Sequence, residues 1–496
     1  MYENLSADLV ATGPILLVAA AGIAVVLVDV FRNDDASIPR IAGLAMAGAM
    51  LWELTRLDAV MVAFGGHVYA GAAAAFADVV ILGGAVLSVA LAVPYLRRTG
   101  HAFGEVYALM LFGTAGMMTL ASAGSLVTLF VGLETMSICL YVLTGLVREE
   151  TRGNEAALKY FLLGSFATGF FLYGIALLYG ATGTMLLYGI GAGAQAPGRE
   201  GLFLAGVGLL LVGFLFKVGA VPFHMWTPDV YQAAPTPLTG YMSTTAKTSA
   251  FAALIVVLAT VMPIEAVGPE VRTLLAVVAA VTMIVGNVIA VAQRNVKRML
   301  AYSSIAHVGY LLAGLATGSV EGFAGALYYL LAYTLMNVGA FGVMALLEWD
   351  GEQGAEQTVD SLAGLGYRRP LPGVLMGVFM FALAGFPPLA GFIGKYLVFG
   401  AAIKGGLVWL AVVGVLTSAI SAYYYLRVLV ALWMRQPGDA PEPVQASAFE
   451  VPRATAIVLI ACAVGLLLFG ILPGPAMDAA TASFAPADAA TAAVAP

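Results

Sequence analysis

For its length the sequence has little charge, almost no cysteine and few histidines. Of its 496 residues only 10% are Asp, Glu, Lys or Arg, against about 25% in soluble globular proteins. So few charges could not cover the surface of a soluble chain this long, which excludes soluble enzymes, secreted scaffolds and nucleic-acid binders. Two cysteines, Cys139 and Cys462, lie inside apolar runs and are too few for an iron–sulfur centre, a metal cluster or a disulfide framework. The opening MYENLSADLV carries no base, so it lacks the n-region of a cleaved signal, and the first apolar run reads as a retained helix. The net charge of −6 says nothing about partners when most of the surface faces lipid. Instead the chain has 61% hydrophobic residues and a mean hydropathy of +0.96.

A membrane-spanning helix needs about 20 mainly apolar residues. About fourteen such runs occur, near 9–30, 40–62, 75–95, 105–121, 125–146, 157–180, 202–223, 237–261, 272–292, 299–317, 321–347, 371–400, 404–433 and 453–473. The second is the weakest, because Glu53, Arg56 and Asp58 fall in its latter half. Each run is apolar on all faces and lacks the alternation of a membrane β-barrel. The fold class is an all-α polytopic membrane protein. With the N-terminus outside, fourteen basic loop residues face the cytoplasm and four (Arg56, Arg199, Arg272 and Lys404) face out. That asymmetry fits an even helix count with both termini outside.

The loops carry little chemistry. The polar segment 348–370 reads as a cytoplasmic connection that could dock a partner, and the Ala-rich tail after Pro473 as poorly ordered. Gly189, Gly191 and Ala194 spell G-x-G-x-x-A, but without the strand–helix context of a dinucleotide site.

Four lysines, Lys159, Lys217, Lys247 and Lys395, fall inside the apolar runs with one deeply placed acid, Glu134. A charge at a helix centre costs about 2.5–3.5 kcal/mol on the insertion scale, so such residues pair or face a wet cavity and mark an ion path. Lys159, nearest a run end, could instead snorkel to the interface. Burial draws a lysine toward its neutral form and a nearby carboxylate toward the charged one. Glu134 beside a lysine is therefore a two-state proton switch, a task arginine cannot perform because it does not deprotonate.

Two lysine-bearing helices read as broken. Lys217 lies in FKVGAVPFHMWTP, with Gly219 and Pro222 just beyond it, and Lys395 ends GFPPLAGFIGK. Proline removes a helix hydrogen bond, and backbone so freed is tolerated in a membrane only inside protein or beside water. Broken helices at matching places in two halves are the sign of an inverted-repeat transporter. The breaks fall in the seventh and twelfth runs, which gives two five-helix repeats, runs 4–8 and 9–13. The resulting division is 1–104 (the first three helices), 105–261 and 272–433 (the repeats) and 434–496 (the last helix and an outside tail). Histidine, with an unperturbed pKa near neutrality, is the natural relay between lysines. His224 follows the first break, and His307 sits among hydroxyls in YSSIAHVGY; His67 and His101 lie at run ends.

Four segments, NVKRMLAYSSIAHVGY (295–310), FKVGAVPFHMWTPDVY (216–231), TPLTGYMSTTAKTSAF (236–251) and LETMSICLYVL (133–143), resemble the signatures of the antiporter-like subunits of respiratory complex I. That enzyme is the proton-pumping NADH:quinone oxidoreductase. Lysine at 395, the absence of a long lateral helix and ALKYFLLGSF around Lys159 resemble the smallest of the three, the N-type subunits. The resemblance implies that Glu134 pairs with Lys217, that Lys247 is the central relay, that Lys395 leads outside and that Lys159 is an additional lysine. It further implies no cofactor in this chain, with FMN, iron–sulfur clusters and quinone held by partner subunits of a bacterial inner-membrane complex. Two rivals stand beside it: a subunit of an Mrp-type cation/proton antiporter, and a membrane scaffold without an ion path.

Overall fold

The computed structural model describes residues 5–32, 37–193, 198–348, 357–436 and 451–484. The chain opens with α1 (Leu5–Ala11), α2 (Gly13–Arg32) and α3 (Ser37–Leu54). A short antiparallel hairpin, β1 (Val60–Ala63) and β2 (Val68–Gly71), follows and leads into α4 (Ala72–Thr99). Then come α5 (Gly104–Ala121), α6 (Leu126–Thr144), α7 (Thr151–Thr182), α8 (Leu187–Gly193), α9 (Glu200–Val218), α10 (Trp226–Ala233) and α11 (Thr236–Val261). The second half holds α12 (Gly268–Ala292), α13 (Val296–Leu315), α14 (Val320–Leu347), α15 (Leu365–Arg368), α16 (Pro370–Ala384), α17 (Ala390–Lys404) and α18 (Val408–Met434). Two more helices, α19 (Arg453–Ile471) and α20 (Gly474–Ala482), end the described chain.

Among the described residues, eleven helices are long and apolar enough to cross a membrane. Every expected run falls mainly on helix, but α3, α13 and the divided pair α16–α17 are not among the eleven. Large apolar side chains such as Phe166 on α7, Leu416 on α18 and Ile457 on α19 stand exposed on the outer faces, a surface that suits lipid and not water.

Three local expectations need correction. The run 40–62 is helical only to Leu54; beyond it the alternating, β-branched VMVA pairs with VYAG across a Gly-Gly turn, so the fold is not purely helical. Arg56, placed in that run, is buried and donates from Nη1 to the Ala11 carbonyl at 2.8 Å, closing the end of α1. The tail after Pro473 begins with an ordered helix, α20, which packs against α14. The chain termini, Ala194 and residues 349–356 of the polar 348–370 connection lie outside the described residues.

Side-chain caps fix several helix starts. Ser125 accepts from Thr128 N at 3.2 Å, Asn295 from Arg298 N at 3.0 Å and Ser319 from Gly322 N at 3.1 Å, each satisfying an orphan N–H at a first turn. The α5–α6 and α12–α13 pairs pack backbone to backbone. A Cβ on Gly132 would come within 2.5 Å of Leu120 N, and one on Gly286 within 2.7 Å of Ala306 N. Small residues serve this purpose in membranes, where van der Waals contact drives helix association. The core lies around α11, α13 and α14: α14 packs against α4, α11, α16, α17 and α19, and almost every residue of α13 is buried.

Candidate functional site

Both breaks are built alike. Helix α9 ends at Gly219 (φ +80°) and α16 at Gly385 (φ +87°), each donating its N–H back to a carbonyl four residues earlier. A glycine in the left-handed region is the usual way to stop a helix without strain. Three residues on from each glycine is a proline, Pro222 or Pro388, preceded in both by a cis peptide.

Lys217 lies at the end of α9, buried, with Nζ donating to Ser137 Oγ at 2.8 Å and to Tyr160 OH at 3.4 Å. The rings of Tyr160 and Tyr141 stand 5.4 and 5.6 Å from the ammonium, close enough for cation–π attraction. Glu134, one turn before Ser137 on α6, accepts from Thr168 Oγ1 at 2.7 Å. A recess of ≈ 220 Å³ is lined by Thr168, Ser137 and Lys217 among others. Glu134 and Lys217 thus belong to one locus without forming an ion pair: their direct partners are Thr168 and Ser137.

Lys247, buried in mid-α11, donates to the Ser304 carbonyl at 3.2 Å and also to the Ser304 hydroxyl. Ser304 further accepts from Tyr333 OH at 2.7 Å. His307, one turn along α13, has both ring nitrogens engaged: Nδ1 with Tyr329 OH at 2.7 Å and Nε2 with Tyr425 OH at 3.1 Å. A neutral imidazole offers one donor and one acceptor, and the two hydroxyls match both. Lys395, buried on α17, donates to the carbonyls of Leu383 at 3.1 Å and Ala384 at 2.9 Å, and to Ser418 Oγ at 2.8 Å. Those carbonyls are the last of α16, freed by the break and carrying the negative end of the helix dipole.

Aromatic and hydroxyl side chains bridge the three lysines. Tyr160 stacks on Trp226 at 4.3 Å, Trp226 meets Tyr231 edge-on at 6.2 Å, and the Tyr231 ring is 5.8 Å from Lys247 Nζ. Beyond Lys247, His307 lies 5.4 Å from the Tyr333 ring and 5.5 Å from that of Tyr310, whose ring is 5.0 Å from Lys395 Nζ. The hydroxyl of Tyr231 is buried and has no hydrogen-bond partner among the described residues. Such a row offers titratable groups and rotating hydroxyls at short intervals, the elements of a proton path.

Two of the sequence candidates stand apart. Lys159 is exposed, not buried; it pairs with Glu155 at 2.6 Å and Asp229 at 3.4 Å, and Arg298 joins the same Asp229 at 2.8 Å. The face of α7 explains the difference: the adjacent Tyr160 turns inward and meets Lys217, whereas Lys159 turns outward. His224, half-buried in the turn between α9 and α10, has a buried Nδ1 without a partner and does not touch the lysines. The bridging tyrosines and Ser137, Ser304 and Ser418 were missed in the sequence. Helical spacing gave a signal for some of them: Ser137 is three residues from Glu134, and Tyr329 and Tyr333 are four apart.

Residues 123–421 match the family described as NADH:quinone oxidoreductase/Mrp antiporter, TM. The chain is 53% identical over 484 residues to NADH-quinone oxidoreductase subunit N of Salinibacter ruber, covering 96% of each chain. It is 44% identical to the subunit N of Trichlorobacter lovleyi, covering 93% of each. Among solved structures, a chain of respiratory complex I from Thermus thermophilus with bound aureothin matches with a TM-score of 0.79 at 36% identity, over 95% of this chain and 99% of that one. A chain of the Mrp complex from Dietzia matches with a TM-score of 0.83 over 95% of this chain and 96% of that one, but at 20% identity, a likeness of fold alone. Lysines buried in broken and mid-membrane helices, the family match across both breaks and the close relatives agree: the chain belongs to the antiporter-like membrane subunits of NADH:quinone oxidoreductase, within the subunit N family.

Proposed function

We propose that the chain carries protons across a bacterial inner membrane while partner subunits reduce quinone. Protons pass along the mid-membrane row Lys217, Lys247, His307 and Lys395, with Glu134 setting the proton affinity of Lys217 across the recess. The observation that carries this reading is that three buried lysines, far too costly to retain for packing, are joined by hydroxyls and rings, with no carboxylate among the described residues paired to any of them. Lys159 acts from the surface, through its ion pairs with Glu155 and Asp229. FMN, iron–sulfur clusters and quinone belong to partner subunits, and lipid surrounds the outward faces.

Fourteen crossings, with α16–α17 counted once, leave both termini in the periplasm and the basic loops in the cytoplasm. Residues 105–261 and 272–433 are inverted repeats after an N-terminal unit, 1–104, and before the final helix and tail, 434–496. In support, the first two helices of each repeat, α5–α6 and α12–α13, make matching backbone-close pairs, and the fourth helix of each is the broken one.

Lys247→Arg tests the reading. Arginine keeps the positive charge that any purely structural role needs, yet holds its proton across the working range. In the assembled oxidoreductase, reconstituted in vesicles, it should lower protons moved per electron pair or stall turnover. Pumping at the parent ratio and rate would show that the row is structural.

A further inference from the structure

A second charged cluster, largely shielded from solvent, lies at the start of α11, the helix that carries Lys247. Glu348, at the end of α14, pairs with Lys297 Nζ at 3.3 Å, with 20% and 10% of the two side chains exposed. Thr236 Oγ1 lies 2.6 Å from both carboxylate oxygens, and Tyr95 OH donates to one of them at 3.1 Å. Lys297 also donates to the Ala234 carbonyl at 2.9 Å. One carboxylate thus gathers α4, α13, α14 and the start of α11.

From this cluster two helix faces lead inward. Thr236, Thr239, Ser243 and Lys247 fall at intervals of three, four and four residues, so they share one face of α11, and all four are buried. Lys297 and Ser304 are seven residues apart, two turns on one face of α13, and Ser304 is the partner of Lys247. A tie between helices needs no stripe of buried hydroxyls behind it, and well-packed apolar residues would hold the helices as firmly. Hydroxyls that both donate and accept suit the transfer of a proton.

We propose that Glu348, poised by Lys297, Thr236 and Tyr95, is the proton-loading site for Lys247. It takes a proton at the face where α11 and α13 begin, which the reading above places in the cytoplasm, and passes it along the Thr236–Thr239–Ser243 face to the lysine. The proton leaves the carboxyl oxygen for the neutral lysine amine, and the carboxylate is restored by its pairing with Lys297. This inference rests on Lys247 being a proton carrier.

Glu348→Gln in the assembled, vesicle-reconstituted oxidoreductase tests it. The amide still accepts from Thr236 and Tyr95 but carries no exchangeable acid. The translocation rate should fall about a hundredfold, the low end of what removing a positioned acid–base group costs, with assembly retained. Azide, a small weak acid that can carry protons to a vacated site, should restore much of the rate. Glu348→Asp should keep more activity than the amide. Parent-like pumping in Glu348→Gln overturns the proposal, and so does a loss that azide leaves unchanged, which would mark a helix tie. If Lys247→Arg stalls while Glu348→Gln pumps normally, only the loading site is wrong; if Lys247→Arg itself pumps normally, the reading beneath it has failed.

Discussion

Lys217 stands two residues before the glycine that ends its helix, whereas Lys395 stands ten residues after the corresponding Gly385. The freed carbonyls of the two breaks therefore have different partners. In the first half the Phe216 carbonyl accepts from Trp226 Nε1 at 3.0 Å, and the lysine turns to Ser137 and Tyr160, with Glu134 one turn from Ser137 and held by Thr168. In the second half the lysine itself takes the freed carbonyls of Leu383 and Ala384, with no acid paired to it among the described residues. A carboxylate can gain a proton or move, so its field is adjustable; helix-end carbonyls are fixed dipoles. The first lysine lies near a carboxylate whose charge can be switched, and the second is held by constant dipoles. A path that loads at one end and releases at the other needs that inequality.

The largest effect is expected at Lys395. Lys395→Ala leaves the two α16 carbonyls to water and removes a carrier with no carboxylate nearby to take over its proton. Protons per electron pair should fall, or turnover drop about a hundredfold, as for loss of a positioned proton-transfer group. A parent-like ratio in reconstituted vesicles would break the comparison, since the fixed-dipole lysine would then be dispensable.

A smaller and graded effect is expected at Glu134. Glu134→Gln keeps the hydrogen bond from Thr168 but removes the charge, so Lys217 holds its proton less well and pumping falls while assembly persists. Glu134→Asp keeps the charge on a shorter stem and should retain more activity than the amide. Equal pumping by the two variants would show that charge is not what Glu134 supplies.

The smallest effect sharpens the comparison through the breaks themselves. Gly219→Ala and Gly385→Ala both place a Cβ at positive φ, costing roughly 1–2 kcal/mol of stability. On Gly219 the Cβ would meet Thr227 Oγ1 at 2.8 Å, but on Gly385 it would meet Lys395 Cδ at 3.0 Å and Nζ at 3.3 Å. Thermal unfolding of the assembled enzyme should show similar losses for both, and only Gly385→Ala should slow pumping beyond that loss. Equal pumping defects would mean that strain at the break, and not the lysine's seat, limits transfer.

Much of this was legible in the sequence. Apolar runs at membrane length fixed the helices, and proline with glycine beside lysine marked both breaks, because those residues act through local backbone geometry alone. The run at 40–62 misled because VMVA is apolar enough to extend a helix yet alternates as a strand, and only its pairing with VYAG decides between them. For Lys159, composition places it in an apolar run, but which side of α7 faces the bundle is set by packing against α9 and α10.

By itself the sequence determined that the chain is helical and membrane-embedded, that its helices break twice, and that lysines sit where a charge is expensive. Those properties follow from composition, spacing and backbone chemistry, which are local. The tertiary structure alone decided that three of the four lysines form one row, that Tyr160, Tyr231, Tyr310 and Tyr333 fill the gaps, and that Glu348 reaches Lys297. Each of those contacts joins residues from different helices, and an apolar run says nothing of which face its neighbour will cover.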